Sequence, residues 1–149
     1  IRQEGTRILK FAMENNHPVI ILASRPYHID PEINHGLDRL LNSLQFVVVT
    51  EDALYPVEGK LTIKILNQWG FHARMYNAAK YVSQHKNMEL VHLVSFGCGI
   101  DAITTDEIHD ILRSNNKLYT QLKIDEVSNL GAAKIRLRSL QATMKEREM

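Results

Sequence analysis

The sequence predicts an α/β protein: a four-stranded parallel sheet in strand order 2-1-3-4, with helices on both faces. This is a three-layer sandwich of the Rossmann-like (flavodoxin-like) kind. Three observations predict it. Apolar, mostly uncharged runs of strand length recur along the chain, as strands buried on both faces read. Stretches with helical apolar spacing separate them. Strands alternating with helices give a parallel sheet, and right-handed crossovers with one leading helix restrict the order.

The first helix covers about residues 2–15, with Ile1, Gly5, Ile8, Leu9 and Ala12 at helical spacing. Asn15-Asn16-His17-Pro18 stops it, because asparagine tolerates the turn and Pro18 drives His17 out of the α region. Val19 to Ala23 is the first strand. Asp30 caps the second helix, Pro31 opens it, and Ile33, Leu37, Leu40, Leu41 and Leu44 form its apolar stripe. Phe46 to Thr50 is the second strand. In residues 53–71, Leu61, Ile63 and Ile65 alternate with polar residues and suggest a short edge strand, while Pro56 and Gly59 mark turns.

His72 to His85 is helical, with Met75, Ala78, Ala79 and Val82 on one face. Leu90 to Ser95 is the third strand, and its lack of charge makes it central. Thr104 and Glu107 have capping-box spacing, which puts the next helix start at about Thr105. That helix ends at Asn115-Asn116. Leu118 to Ile124 is the fourth strand, and Gly131 to about Arg147 is the last helix.

A chain of 149 residues points to one domain over 1–149. It begins and ends in helix-like sequence, which predicts a segment of a longer polypeptide. A net charge of +1 argues against general attraction to nucleic acid or membrane. No apolar run approaches a membrane span. The single cysteine rules out a disulfide within the chain and fits a reducing, cytoplasmic setting.

Parallel strands deliver their carboxyl ends to one edge, where such folds place ligands. The residues brought there are Arg25, Tyr27 and His28, then Glu51 and Asp52. Phe96, Gly97, Cys98, Gly99 and Asp101 follow, with Asp125 and Glu126 from the fourth strand. Polar loops at strand ends would give the same pattern. Pairing with Arg25, Arg74 or Lys123 is one use of the carboxylates, and a divalent cation is another. His28 reads as a base, ligand or donor, or as a surface residue. Trp69, Phe71 and Tyr76 read as core or interface.

Cys98 has three readings. It is a buried small hydrophobe, a soft metal ligand whose partners lie elsewhere, or a reactive thiolate. The nearby carboxylates oppose the thiolate. Gly97-Cys98-Gly99-Ile100-Asp101-Ala102 also matches the relaxed dinucleotide pattern G-x-G-x-x-A, with Asp125 as the ribose-binding acid. A helix start near Thr105 and the charge of Asp101 weigh against that reading, so NAD, NADP and ATP are expected to bind weakly or not at all.

Several ordered motifs resemble a known family. They are Arg25-Pro26-Tyr27-His28, Asp30-Pro31, Ile33-Asn34-His35-Gly36, Thr50-Glu51-Asp52, Gln68-Trp69, Ser95 to Ala102, Lys123-Ile124-Asp125-Glu126 and Asn129 to Ala133. Together they are similar to the large CoA-substrate-specific enzyme activase-related proteins, activators of 2-hydroxyacyl-CoA dehydratases. The resemblance runs from about Pro18 to Met144 and falls in the dehydratase-like region that follows the ATPase modules. No ATPase phosphate loop is present, so activase chemistry does not carry over to this segment.

The resemblance implies an iron–sulfur cluster in the full-length protein, with Cys98 as one ligand and the others outside this chain. It also implies a possible acyl-CoA site and, as partners, the other domains of the parent polypeptide and a dehydratase. No cofactor and no catalytic activity are expected of the chain alone. The residue-based alternatives are a nucleotide-binding module and a structural lobe.

Overall fold

The computed structural model describes residues 1–55, 70–95, 99–124 and 130–148. In chain order the elements are α1 (Arg2–Glu14), β1 (Val19–Ala23), a 3-10 turn (Pro26–Ile29), α2 (Pro31–Asn34) and α3 (Leu37–Ser43). Then come β2 (Val47–Thr50), a second 3-10 turn (Glu51–Ala53), α4 (Gly70–Ser83), β3 (Met88–Val94), α5 (Gly99–Arg113), β4 (Tyr119–Lys123) and α6 (Leu130–Glu148). The four strands form one parallel sheet in the order β2-β1-β3-β4, as the sequence predicts.

Alternation along the strands divides the core in two. Val19, Ile21, Ala23, Met88 and Leu90 point to one face, where α1, α4 and α5 supply Leu9, Ala12, Met75, Ala79, Val82, Ile108 and Leu112. Ile20, Leu22, Val91, Leu93 and Leu122 point to the other, against Leu37 and Leu41 of α3 and Ala133, Leu137, Leu140 and Met144 of α6. Burying both faces is what the continuous apolar runs require. Each buried leucine contributes about 1.5–3 kcal/mol relative to exposure.

Several boundaries differ from the sequence expectation. The helix expected from Pro31 to Leu44 is broken. His35 and Gly36 take left-handed backbone angles, with φ of 53° and 85°. Asn34 holds the break: its side-chain NH2 donates to the Ile29 carbonyl at 3.1 Å, and its Oδ1 accepts from the Gly36 N–H at 2.9 Å. The apolar stripe survives because Leu37, Leu41 and Leu44 still reach the core.

A second difference is the start of α5, at Gly99 rather than near Thr105. Thr104 and Glu107 are therefore not a capping box; both are buried inside the helix. The Thr104 hydroxyl makes a hydrogen bond with the Tyr76 side chain of α4.

β3 also begins earlier than expected and takes in Glu89, a charge within the central strand. That carboxylate is fully buried and paired. Arg147 Nη1 donates to its Oε1 at 2.5 Å, and the Leu118 N–H donates to its Oε2 at 3.1 Å. Lys117 Nζ lies 3.9 Å away. No helix among the described residues is long and apolar enough to cross a membrane.

Candidate functional site

β1 and β3 are neighbours, and the chain leaves them in opposite directions, to α3 and α5 on opposite faces. The crevice above their carboxyl ends is therefore a topological switch point. Two contacts span it. Arg25, two residues beyond β1, donates from Nη2 to Asp101 Oδ1 at 2.5 Å. Asp101 sits in the first turn of α5, and both side chains are largely buried. Beside this pair, the Tyr27 hydroxyl lies 3.4 Å from the Ser95 hydroxyl. Tyr27 is 48% exposed and forms the mouth of the crevice.

The Pro26–Ile29 turn fixes these residues. Pro26 opens it with a preset φ. The His28 N–H donates to the Arg25 carbonyl at 2.9 Å, and the Arg25 N–H donates to His28 Nδ1 at 3.3 Å. His28 is buried, not the surface residue that a histidine near proline suggests. With Nδ1 accepting, the neutral ring carries its proton on Nε2. The Tyr27 ring meets it edge-on at 4.3 Å.

Two further histidines, not singled out from the sequence, close around the pair. His72 from α4 is buried, and that burial, with Arg25 beside it, lowers its pKa against the opposing pull of Asp101. His92 on β3 has its pKa pushed down to about 4, chiefly by burial. Its Nδ1 is hydrogen-bonded to the Tyr119 hydroxyl at 2.9 Å. Phe71 places its ring 5.6 Å from the Arg25 guanidinium carbon, a cation–π contact. The signal for His92 was available, since it is a titratable residue inside the otherwise apolar run from Leu90 to Val94. His72 carried no such mark.

Glu51 and Asp52 stand at the end of β2, on the far side of β1 from this crevice. Glu51 is 3% exposed, and its Oε1 lies 4.0 Å from Arg74 Nε of α4. Burial pushes its carboxyl up to about 7. Asp52 Oδ1 accepts from the Thr50 hydroxyl at 2.6 Å. Pairing with Arg25 is thus the use the structure makes of Asp101, whereas Glu51 only has Arg74 nearby, without a hydrogen bond to its Nε. Gly99 begins α5. Phe96, Gly97, Cys98, Asp125, Glu126, Trp69 and the strand suggested by Leu61, Ile63 and Ile65 lie outside the described residues.

An iron–sulfur cluster does not fit the donors of this chain taken alone. The sequence has one thiol, and the described residues contain no group of three His, Cys, Asp or Glu side chains placed to hold a metal.

A groove of about 890 Å³ opens at the opposite, amino edge of the sheet, lined by residues such as Asn16, Lys86, Asn116, Lys117 and Arg147. Its size does not make it the better candidate. Lys117 donates to the carbonyls of His85, Lys86 and Met88, and Arg147 is committed to Glu89. These cations hold the fold together.

Comparison with known proteins adds one finding. A family model described as a CoA enzyme activase uncharacterised domain (DUF2229) matches residues 1–54. That span runs from α1 through the Glu51–Ala53 turn and includes Arg25, Tyr27, His28, Glu51 and Asp52. It relates this part of the chain to the CoA enzyme activases. No curated protein and no solved structure is a significant match.

Proposed function

We propose that the chain is a binding lobe of a CoA enzyme activase-like protein, and that the β1/β3 crevice receives the acyl thioester end of an acyl-CoA. The observation that carries this reading is the pair of hydroxyls at the mouth, Tyr27 and Ser95, beside an Arg25–Asp101 pair that neutralises itself. Two hydroxyls 3.4 Å apart can both donate to one carbonyl oxygen. Tyr27 and Ile29, 48% and 39% exposed, offer apolar surface for the chain that follows. Asp101 in the first turn of α5 disfavours a diphosphate there, so the uncharged end of the ligand is the part that suits the crevice. Cys98 would contribute at most one ligand to a cluster completed by other parts of the parent protein.

The start of α5 at Gly99, directly after Gly97-Cys98, favours a second reading. It removes one objection to dinucleotide binding through Gly97, Gly99 and Asp125; the charge of Asp101 remains as the other.

Calorimetric titration tests both. Acetyl-CoA is expected to bind at least several-fold tighter than CoA, with the advantage lost in Tyr27→Phe and Ser95→Ala. Equal affinity for CoA and acetyl-CoA, or binding of neither, sinks the acyl-end reading. Micromolar affinity for NAD would put the dinucleotide reading in its place.

A further inference from the structure

The ends of β1 and β2 enclose a second group of polar atoms, across β1 from the crevice. Among the described residues, the Ser24 hydroxyl, Glu51 Oε2 and Arg74 Nε are each buried without a hydrogen-bond partner. Buried polar atoms are almost always paired, so a cluster of exceptions needs a cause. These three are grouped. The Ser24 N–H donates to the Glu51 carboxyl group, and Arg74 Nε stands 4.0 Å from Glu51 Oε1, too far for a direct hydrogen bond. The rest of Arg74 reaches solvent, its side chain being 42% exposed.

We propose that Ser24, Glu51 and Arg74 form a binding subsite for a small carboxylate or similar singly charged oxyanion. The donors decide the chemistry. Arg74 offers Nε–H and Ser24 its hydroxyl proton. Burial, the largest influence, holds the Glu51 carboxyl near 7; Asp52 raises it further, while backbone N–H groups and Arg74 oppose. The protonated acid is therefore present at neutral pH, and its O–H is the third donor. Three donors and one guanidinium charge complement one oxyanion, whereas a cation would meet Arg74.

Among the described residues, Asp52 from the same turn and Arg74 from α4 are the charged groups that act on Glu51. From β1 the approach is through Ser24, and α1 packs Gly5 against this turn. Ionised Glu51 would place a second negative charge beside the ligand, so binding should take up a proton. This subsite does not depend on what the crevice binds.

The test is a nuclear magnetic resonance titration of the chain with sodium acetate, against sodium chloride, reading the Ser24 amide and the Arg74 Nε–H. Acetate should produce saturable shifts at pH 6 that chloride does not. Its affinity should fall roughly tenfold per pH unit above pH 7. Glu51→Gln keeps a donor but cannot titrate, so the pH dependence should vanish. Ser24→Ala should weaken binding without removing that dependence, which gives a readout should Glu51→Gln not fold. Shifts that do not saturate, that chloride reproduces, or whose affinity is the same at pH 6 and 8 would overturn the proposal.

Discussion

Arg25 and Asp101 are 76 positions apart in the chain and meet at 2.5 Å above the sheet. Each arrives from the end of a different central strand, so the contact closes the switch point between β1 and β3. The α1/α4/α5 layer adds Phe71 and His72 to it, and the strand beneath adds His92. A charged pair so enclosed is worth more to the geometry of the crevice than to net stability, because desolvation offsets most of the attraction.

Breaking the pair from one side is a different matter. Arg25→Ala leaves Asp101 with a 14% exposed side chain and an Oδ2 that already lacks a hydrogen-bond partner among the described residues. The expected loss is about 3 kcal/mol. Arg25→Ala with Asp101→Asn together should cost less than Arg25→Ala alone. Urea unfolding of the two singles and the double measures the coupling. Additive losses would mean that the pair is not coupled.

The strands were legible because burial on both faces forces continuous apolar runs, and alternation with helices plus right-handed crossovers then restricted their order. The break between α2 and α3 was not, because it leaves the stripe of leucines intact. It turns on one side-chain amide, Asn34, reaching backbone groups on both sides. The start of α5 misled for a different reason. Thr104 and Glu107 have capping-box spacing, but tertiary packing buries them, and Tyr76 engages the Thr104 hydroxyl. Arg25, Tyr27 and Asp101 could be placed from strand ends alone. His72 could not, since nothing local distinguishes a helical histidine that faces a charge pair from one that faces solvent.

Two glycines should respond to the same substitution for opposite reasons. A Cβ on Gly5 would stand 2.7 Å from Ala53 Cβ and 2.8 Å from the Ala53 carbonyl oxygen. Gly5→Ala must push α1 away from the Glu51–Ala53 turn, at about 1–3 kcal/mol. A Cβ on Gly36 would meet nothing within 4 Å among the described residues, but the backbone φ there is 85°. Gly36→Ala should cost about 1 kcal/mol through backbone strain alone, and Gly36→Asn less. Thermal unfolding should separate them. If Ala53→Gly fully rescues Gly5→Ala, the clash with the carbonyl is not the cause.

Glu89 offers a test of how the amino edge is held. Burial raises its pKa, while Lys117 and then Arg147 oppose. Lys117→Met removes the donor to three carbonyls as well as a nearby charge, and should cost about 3–5 kcal/mol. Arg147→Ala should cost less, because that side chain is 37% exposed and water can replace part of it. Chemical denaturation at pH 7 gives both values; a larger loss for Arg147→Ala would reverse the assignment of Lys117 as the main clamp.

The pH dependence of stability should look deceptively flat. The folded state raises Glu51 from its ordinary 4.5 to about 7. Its folded form therefore binds a proton the unfolded chain has lost, and the stability this confers is full below 4.5 and lost as pH rises through 7. The folded state lowers His92 from 6.5 to about 4, chiefly by burial. That contribution is full above 6.5 and lost as pH falls through 4. Each is on the order of 3 kcal/mol, at about 1.4 kcal/mol per unit. Between pH 4.5 and 6.5 the slopes are equal and opposite, so these two groups cancel in the native protein. Single variants should expose them. Glu51→Gln leaves the histidine, and stability should rise with pH across that window. His92→Gln leaves the acid, and stability should fall. Urea midpoints at several pH values read the slopes directly, and slopes of the same sign in both variants would rule out this pair as the source of the balance.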